Sequence, residues 1–192
     1  MASNVVSLVA GGVCCSLVVV VLVWALVTYN RLVRQRNQVA ASWAQIDVQL
    51  KRRHDLVPNL VETVRGYAAH ERATLAEVAQ ARSGAVAATA YGVAARAGAE
   101  AQLTQALGRL FALAEAYPEL KASGNFAALQ RELAITEDKI AYARQFYNSA
   151  VQTLANTIGS VPSNLIAAIG GFRAPEYFSA ADDERGPMVV RF

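Results

Sequence analysis

Residues 5–27, VVSLVAGGVCCSLVVVVLVWALV, run for 23 positions without a charge, and the first charged side chain is Arg31. A helix rises about 1.5 Å per residue, so this run reaches roughly 34 Å, enough to cross a hydrocarbon layer of about 30 Å. The sequence therefore predicts a transmembrane helix over residues 5–29, behind a short extracytoplasmic N-terminus at residues 1–4. A cleaved secretory signal would begin with basic residues and carry a shorter apolar core. Met1, Ala2, Ser3 and Asn4 hold no basic group, so an uncleaved anchor is expected. Cys14 and Cys15 make no lipoprotein site, because Val13 and Cys14 stand where a small residue must precede the cysteine.

The flanks set the orientation. Trp24 and Tyr29 fall at the end of the run, where amphipathic rings settle at headgroup depth. Arg31, Arg34 and Arg36 follow as a basic collar facing the lipid. The positive-inside rule then places the C-terminal side in the cytoplasm and the N-terminus outside. Ser7, Gly11 and Cys15 recur at every fourth position, a small-residue face through which two such helices could associate. The two cysteines found in the chain both lie in this segment and imply neither a disulfide framework nor a metal site.

Beyond Asn30 the apolar pattern is helical. Val39, Trp43, Ile46, Leu50, Val57, Leu60, Val64 and Tyr67 alternate by four and three, with Arg53 on the missing beat. This predicts an amphipathic helix continuous with the anchor, kinked by Pro58 and extending through Leu75 and Val78 to a cap at Ser83-Gly84. An alanine-rich segment, residues 85–117, forms the second helix, with Gly92, Gly98 and Gly108 as places for close packing and Pro118 as its end. Phe126, Leu129, Leu133, Ile140, Tyr147, Val151, Leu154 and Ile158 make the third, opened by Ser123-Gly124-Asn125. Ser163 caps a short fourth helix that Gly170-Gly171 terminates. The expected fold is all-α: a transmembrane helix, then an antiparallel bundle of three long helices and one short over residues 30–173, then a tail at 174–192.

Several stretches carry a likeness. Tyr29-Asn30-Arg31-Leu32-Val33 and the run from Lys51 through His54-Asp55-Leu56-Val57-Pro58-Asn59-Leu60-Val61 closely resemble the LemA family of bacterial membrane proteins. Thr136-Glu137-Asp138-Lys139-Ile140, Ala143-Arg144-Gln145-Phe146-Tyr147-Asn148, the Val161-Pro162-Ser163-Asn164 corner and Tyr177-Phe178 do so too. The resemblance implies a single N-terminal membrane helix and a LemA-like helical bundle that faces either cytoplasm or periplasm; with the basic collar, the expected place is the inner membrane of a bacterial cell. It implies no established reaction. Family patterns often carry Tyr where His54 stands and Asn where Asp138 stands.

The residues themselves offer little chemistry. His70-Glu71-Arg72-Ala73-Thr74 opens like a zinc-protease helix, but Thr74 occupies the place of the second histidine. No Glu-x-x-His pair, glycine-rich phosphate loop or Gly-x-Ser-x-Gly elbow is present. No residue is therefore assigned a catalytic, cofactor-binding or metal-ligating role, and no cofactor is expected. Polar groups on apolar stripes are the exception: Arg53 and Glu71 on the first soluble helix, and Thr136 beside Glu137 on the third. A buried charge must be paired, so Arg53 is expected to meet a carboxylate of the third helix, Glu137 first.

Six basic groups against one acidic lie between residues 31 and 53, and twelve against fourteen elsewhere. The basic share thus hugs the bilayer, where anionic lipid attracts each Lys or Arg by about 1 kcal/mol; nucleic acid is not an expected partner. In the tail, Tyr177 and Phe178 are expected to pack back on the bundle, while Met188, Val189, Val190 and Phe192 could add a strand to a partner. The function that emerges is a non-enzymatic, membrane-anchored scaffold binding other membrane or cytoplasmic proteins. The alternative is an enzyme or ligand receptor using the polar seam near Arg53 and Glu137.

Overall fold

The structure, a computed structural model, describes residues 2–179, with side chains from residue 11 onward. The tail residues Met188, Val189, Val190 and Phe192 and the side chain of Ser7 lie outside that range. Among the described residues six α-helices follow one another: α1 (Ala2–Tyr67), α2 (Arg72–Ala87), α3 (Val93–Ala114), α4 (Pro118–Lys121), α5 (Gly124–Gly159) and α6 (Ser163–Ile169). A 3-10 turn, Ala88–Ala90, separates α2 from α3, and no strand occurs among the described residues. The chain is an all-α bundle with one long apolar N-terminal helix.

α1 joins the apolar run to the first stripe without a break, since no Gly or Pro falls between Gly12 and Pro58. Its residues from Val13 to Val27 turn apolar side chains outward, and α1 is long and apolar enough to cross a membrane. Pro58 lies inside the helix. It has no N–H for the carbonyl of His54, four residues back. That carbonyl instead accepts from Arg82 Nε at 2.7 Å, so a side chain of α2 replaces the bond that the proline removes.

The helix boundaries differ from the expected ones in four places. The first stripe does not continue to Ser83-Gly84: the chain turns at residues 68–71 and α2 starts at Arg72. Leu75 and Val78 nevertheless join the same core as Val64, which is why the period survives the turn. The alanine-rich segment is not one helix either, because Gly92 is extended and forms the N-cap of α3. Gly98 and Gly108 have open space where a Cβ would stand, so neither mediates close packing. Pro118 opens α4, using the first-turn position where a missing N–H is harmless. Ser163 does not cap α6; its hydroxyl donates to Thr157 O at 2.7 Å, closing the end of α5.

Two compact units result. One comprises residues up to Ala41 together with Ser149–Pro175; the other comprises Ser42–Asn148 and the segment from Glu176. In the second, Val57, Leu60, Val64, Leu75, Val78, Leu103, Leu110, Leu120 and Phe126 form one buried core. Each such side chain contributes about 1.5–3 kcal/mol on burial. In the first, Phe172 is the hub: Tyr29 meets its ring edge-on at 5.5 Å, and the Arg36 guanidinium lies 5.4 Å from its centroid. Gly171, at φ +65°, makes the turn that brings Phe172 back.

Candidate functional site

Three helices of the second unit bring their polar seam positions together. α1 supplies Arg53 and His54, α3 supplies Glu100, and α5 supplies Glu137. Arg53 is 2% exposed. Its Nη1 donates to Glu137 Oε2 at 2.6 Å, and its Nη2 donates to the Glu100 carbonyl at 2.9 Å while lying 3.0 Å from Glu100 Oε2. His54 Nε2 meets Glu100 Oε1 at 2.7 Å. A carboxylate accepts, so the imidazole proton belongs on Nε2. One buried cation therefore stands against one buried carboxylate and a second, Glu137, whose side chain is 51% exposed. Arg53 Nε and Glu100 Oε2 have no hydrogen-bond partner among the described residues, although the latter is charge-paired with the guanidinium.

The cluster opens onto a cleft of about 640 Å³ whose wall includes Arg53, Glu100, Gln102, Gln105, Glu137 and Arg144. The cleft offers hydrogen-bond donors and acceptors and side chains of both charges. Thr136 is fully buried, but its hydroxyl donates to Glu132 O at 2.7 Å, a local helix bond. Glu71 is not part of the cluster: it stands at the N-cap of α2 and accepts from Tyr117 OH at 3.2 Å. That proximity and burial raise the Tyr117 phenol above its ordinary range, burial first.

Beside the cluster, Trp43 of α1 stacks at a tilt against Tyr147 of α5 (5.2 Å) and Phe178 (5.7 Å), with the Arg96 guanidinium 5.3 Å from its ring. Arg96 also pairs with Asp47 at 2.5 Å. Asn148 grips the backbone of Phe178 at both ends, donating to its carbonyl (3.1 Å) and accepting from its N–H (2.9 Å). Phe178 is thus buried, whereas Tyr177, expected to pack with it, is exposed. Tyr147 donates to Glu176 O at 2.9 Å. Burial, and then the negative charge of Glu176, push its phenol above its ordinary value of 10.0. A raised acid contributes stability that is complete below the unfolded value, about 10, and is lost as pH rises through the folded one. Denaturant midpoints should accordingly fall above about pH 10, and more steeply in the wild type than in Tyr147→Phe. Identical slopes would show that the phenol is not held neutral.

The whole of this cluster falls within residues 42–192, which match a profile of the LemA family. The chain belongs to the LemA family. Two magnetosome proteins of Paramagnetospirillum magneticum, MamQ 2 and MamQ 1, are each 29% identical to it over 189 residues, covering 86% of this chain and 70% of their own length. Protein LemA of Metamycoplasma hominis is 25% identical over 156 residues, covering 81% and 71%. The matched LemA region starts at Ser42, so the apolar run and the collar of Arg31, Arg34 and Arg36 precede it. Within the collar, Arg31 and Arg34 are exposed and Arg36 rests on Phe172.

Sequence reasoning missed Glu100, and with it the part played by His54. A signal existed: Ala97, Glu100, Leu103 and Leu107 are spaced by three and four, so Glu100 sits on a buried face.

Proposed function

We propose that this LemA-family protein is a membrane-anchored helical scaffold that docks other proteins and performs no reaction of its own. α1 crosses the bacterial inner membrane once, with the N-terminus outside and the bundle in the cytoplasm, the orientation that Arg31, Arg34 and Arg36 favour. The face containing Gly11 and Cys15, with Ser7 one turn earlier, is the place for self-association in the membrane.

One observation carries the docking role. A surface groove of about 560 Å³ runs along α1 and α5 of the second unit, lined by Ala44, Val48, Gln49, Asp138, Tyr142 and Ala143 among others. Val48 and Tyr142 are large apolar side chains left exposed. Asp138 and Lys139, at the same groove, add charge that could set the register of a bound helix. A second reading, favoured by the 640 Å³ cleft, makes the cluster of Arg53, Glu137 and Arg144 a receptor for a small polar ligand.

The test is cross-linking of the full-length protein in intact membranes with identification of the captured chains. Val48→Asp with Tyr142→Ser should remove most protein cross-links while leaving the amount of folded protein unchanged. Cross-links insensitive to that pair but lost in Arg144→Ala would move the function to the cleft, and capture of lipid alone would end the scaffold proposal.

A further inference from the structure

Within the first unit, Tyr29 marks the end of the apolar stretch of α1, and a tyrosine there settles at headgroup depth. Its ring touches Phe172, just after α6. Gln35, about 9 Å further along the helix, donates to Thr157 near the end of α5 at 3.0 Å. The α5–α6 corner therefore flanks α1 between these two levels. Headgroups occupy only about 5–8 Å on each side of a bilayer, so in a chain anchored by α1 the corner lies in that layer or directly beside it.

Two features suit the corner to lipid. The first is an apolar row left outside the core: Val161 is 82% exposed, Leu165 62% and Ile169 85%. Leu165 and Ile169 are one turn apart on α6 and share a face. The second is a notch of about 270 Å³ lined by Arg31, Thr153, Asn156, Thr157, Ser160 and Ser163. The hydroxyls of Thr153, Thr157, Ser160 and Ser163 already donate to the carbonyls of Ser149, Thr153, Asn156 and Thr157. Thr157 also accepts from Gln35, so Thr153, Ser160 and Ser163 are the hydroxyls with lone pairs left for the notch, and its donors are the Arg31 guanidinium and the Asn156 amide. Arg31 has no carboxylate partner among the described residues.

Resting on the proposal that α1 is a membrane anchor, we infer that this notch binds the headgroup of a membrane phospholipid. The phosphodiester lies against Arg31 and Asn156, and an N–H or O–H of the head donates to the hydroxyl oxygens beyond. That arrangement prefers ethanolamine and glycerol heads, which carry such donors, over choline, whose quaternary nitrogen carries none. Val161, Leu165 and Ile169 rest on the adjoining acyl region.

The test uses the full chain in nanodiscs of equal parts phosphatidylcholine, phosphatidylethanolamine and phosphatidylglycerol, with retained lipids identified by native mass spectrometry. Retained phosphatidylethanolamine and phosphatidylglycerol should exceed phosphatidylcholine by roughly tenfold, about 1.4 kcal/mol. Arg31→Gln, a change at an exposed side chain, should abolish retention, and Ser160→Ala with Thr153→Val should erase the preference among heads. Retention that survives Arg31→Gln overturns the inference. So does displacement of the lipid by inorganic phosphate alone, which would mark a free-anion site. A fluorophore at Val20→Cys or Ile169→Cys, with Cys14→Ser and Cys15→Ser, separates the two levels by its quenching from lipid-borne nitroxides. Quenching at both positions supports the inference. Quenching at position 20 but not 169 defeats the corner alone; quenching at neither defeats the anchor.

Discussion

Arg53→Met is expected to destabilise the chain by about 3–5 kcal/mol, while Arg53→Met combined with Glu100→Leu recovers most of that loss. The single substitution leaves Glu100 with a buried negative charge whose remaining side-chain partner is His54. The cost is the uncompensated charge rather than the lost bond. Removing both members takes the charge away as well, and Glu137, half exposed, is solvated without them. What remains is an orphaned His54 Nε2, worth about 1–3 kcal/mol. Glu137→Gln alone should cost less than about 1 kcal/mol, because water already screens that carboxylate. Urea titration of the full chain in detergent micelles, followed by circular dichroism, compares the three. Equal losses in the single and double variants would show that Arg53 acts by packing its stem and not by charge.

The visibility of Arg53 in the sequence, and the invisibility of its main partner, have one cause. Arg53 interrupts a stripe of large apolar residues, and a charge on a strong period is conspicuous. Glu100 lies in a segment where alanine occupies inward and outward positions alike, so the period is faint and one glutamate looks like a solvated face. The membrane run and the third stripe were legible for the same reason in reverse: large side chains recur on most beats from Phe126 to Leu154, with only Thr136 and Ala143 in the gaps. The turn at residues 68–71 was not legible, because it contains neither proline nor glycine and the apolar rhythm resumes on its far side. Nor could periodicity show that Arg82 replaces the helical bond Pro58 deletes, a contact between residues 28 apart. The groove at Val48 and Tyr142 is a matter of what fails to cover a surface, which no local pattern encodes.

Trp43→Ala is the second large effect expected, a loss of about 3–5 kcal/mol. The indole joins α1 to Tyr147 of α5 and to Phe178, and each such aromatic pair adds about 0.5–1.5 kcal/mol beyond burial. It also faces Arg96, a buried guanidinium whose Nε has no hydrogen-bond partner among the described residues. Truncation leaves that cation with Asp47 alone, so the loss includes about 0.5–2 kcal/mol of cation–π attraction. Phe178→Ala should behave differently. It empties one side of the indole but leaves the α1–α5 contact, so the segment after Glu176 should loosen while the helices hold. Hydrogen exchange separates the two: Trp43→Ala should raise exchange through α1 and α5 together, and Phe178→Ala should raise it only around residues 176–179. Trp43→Phe, which keeps a ring in place, should restore at least half of the stability. If Trp43→Ala and Phe178→Ala instead gave the same local exchange and the same small loss, the indole would be holding only the segment and not the pair of helices.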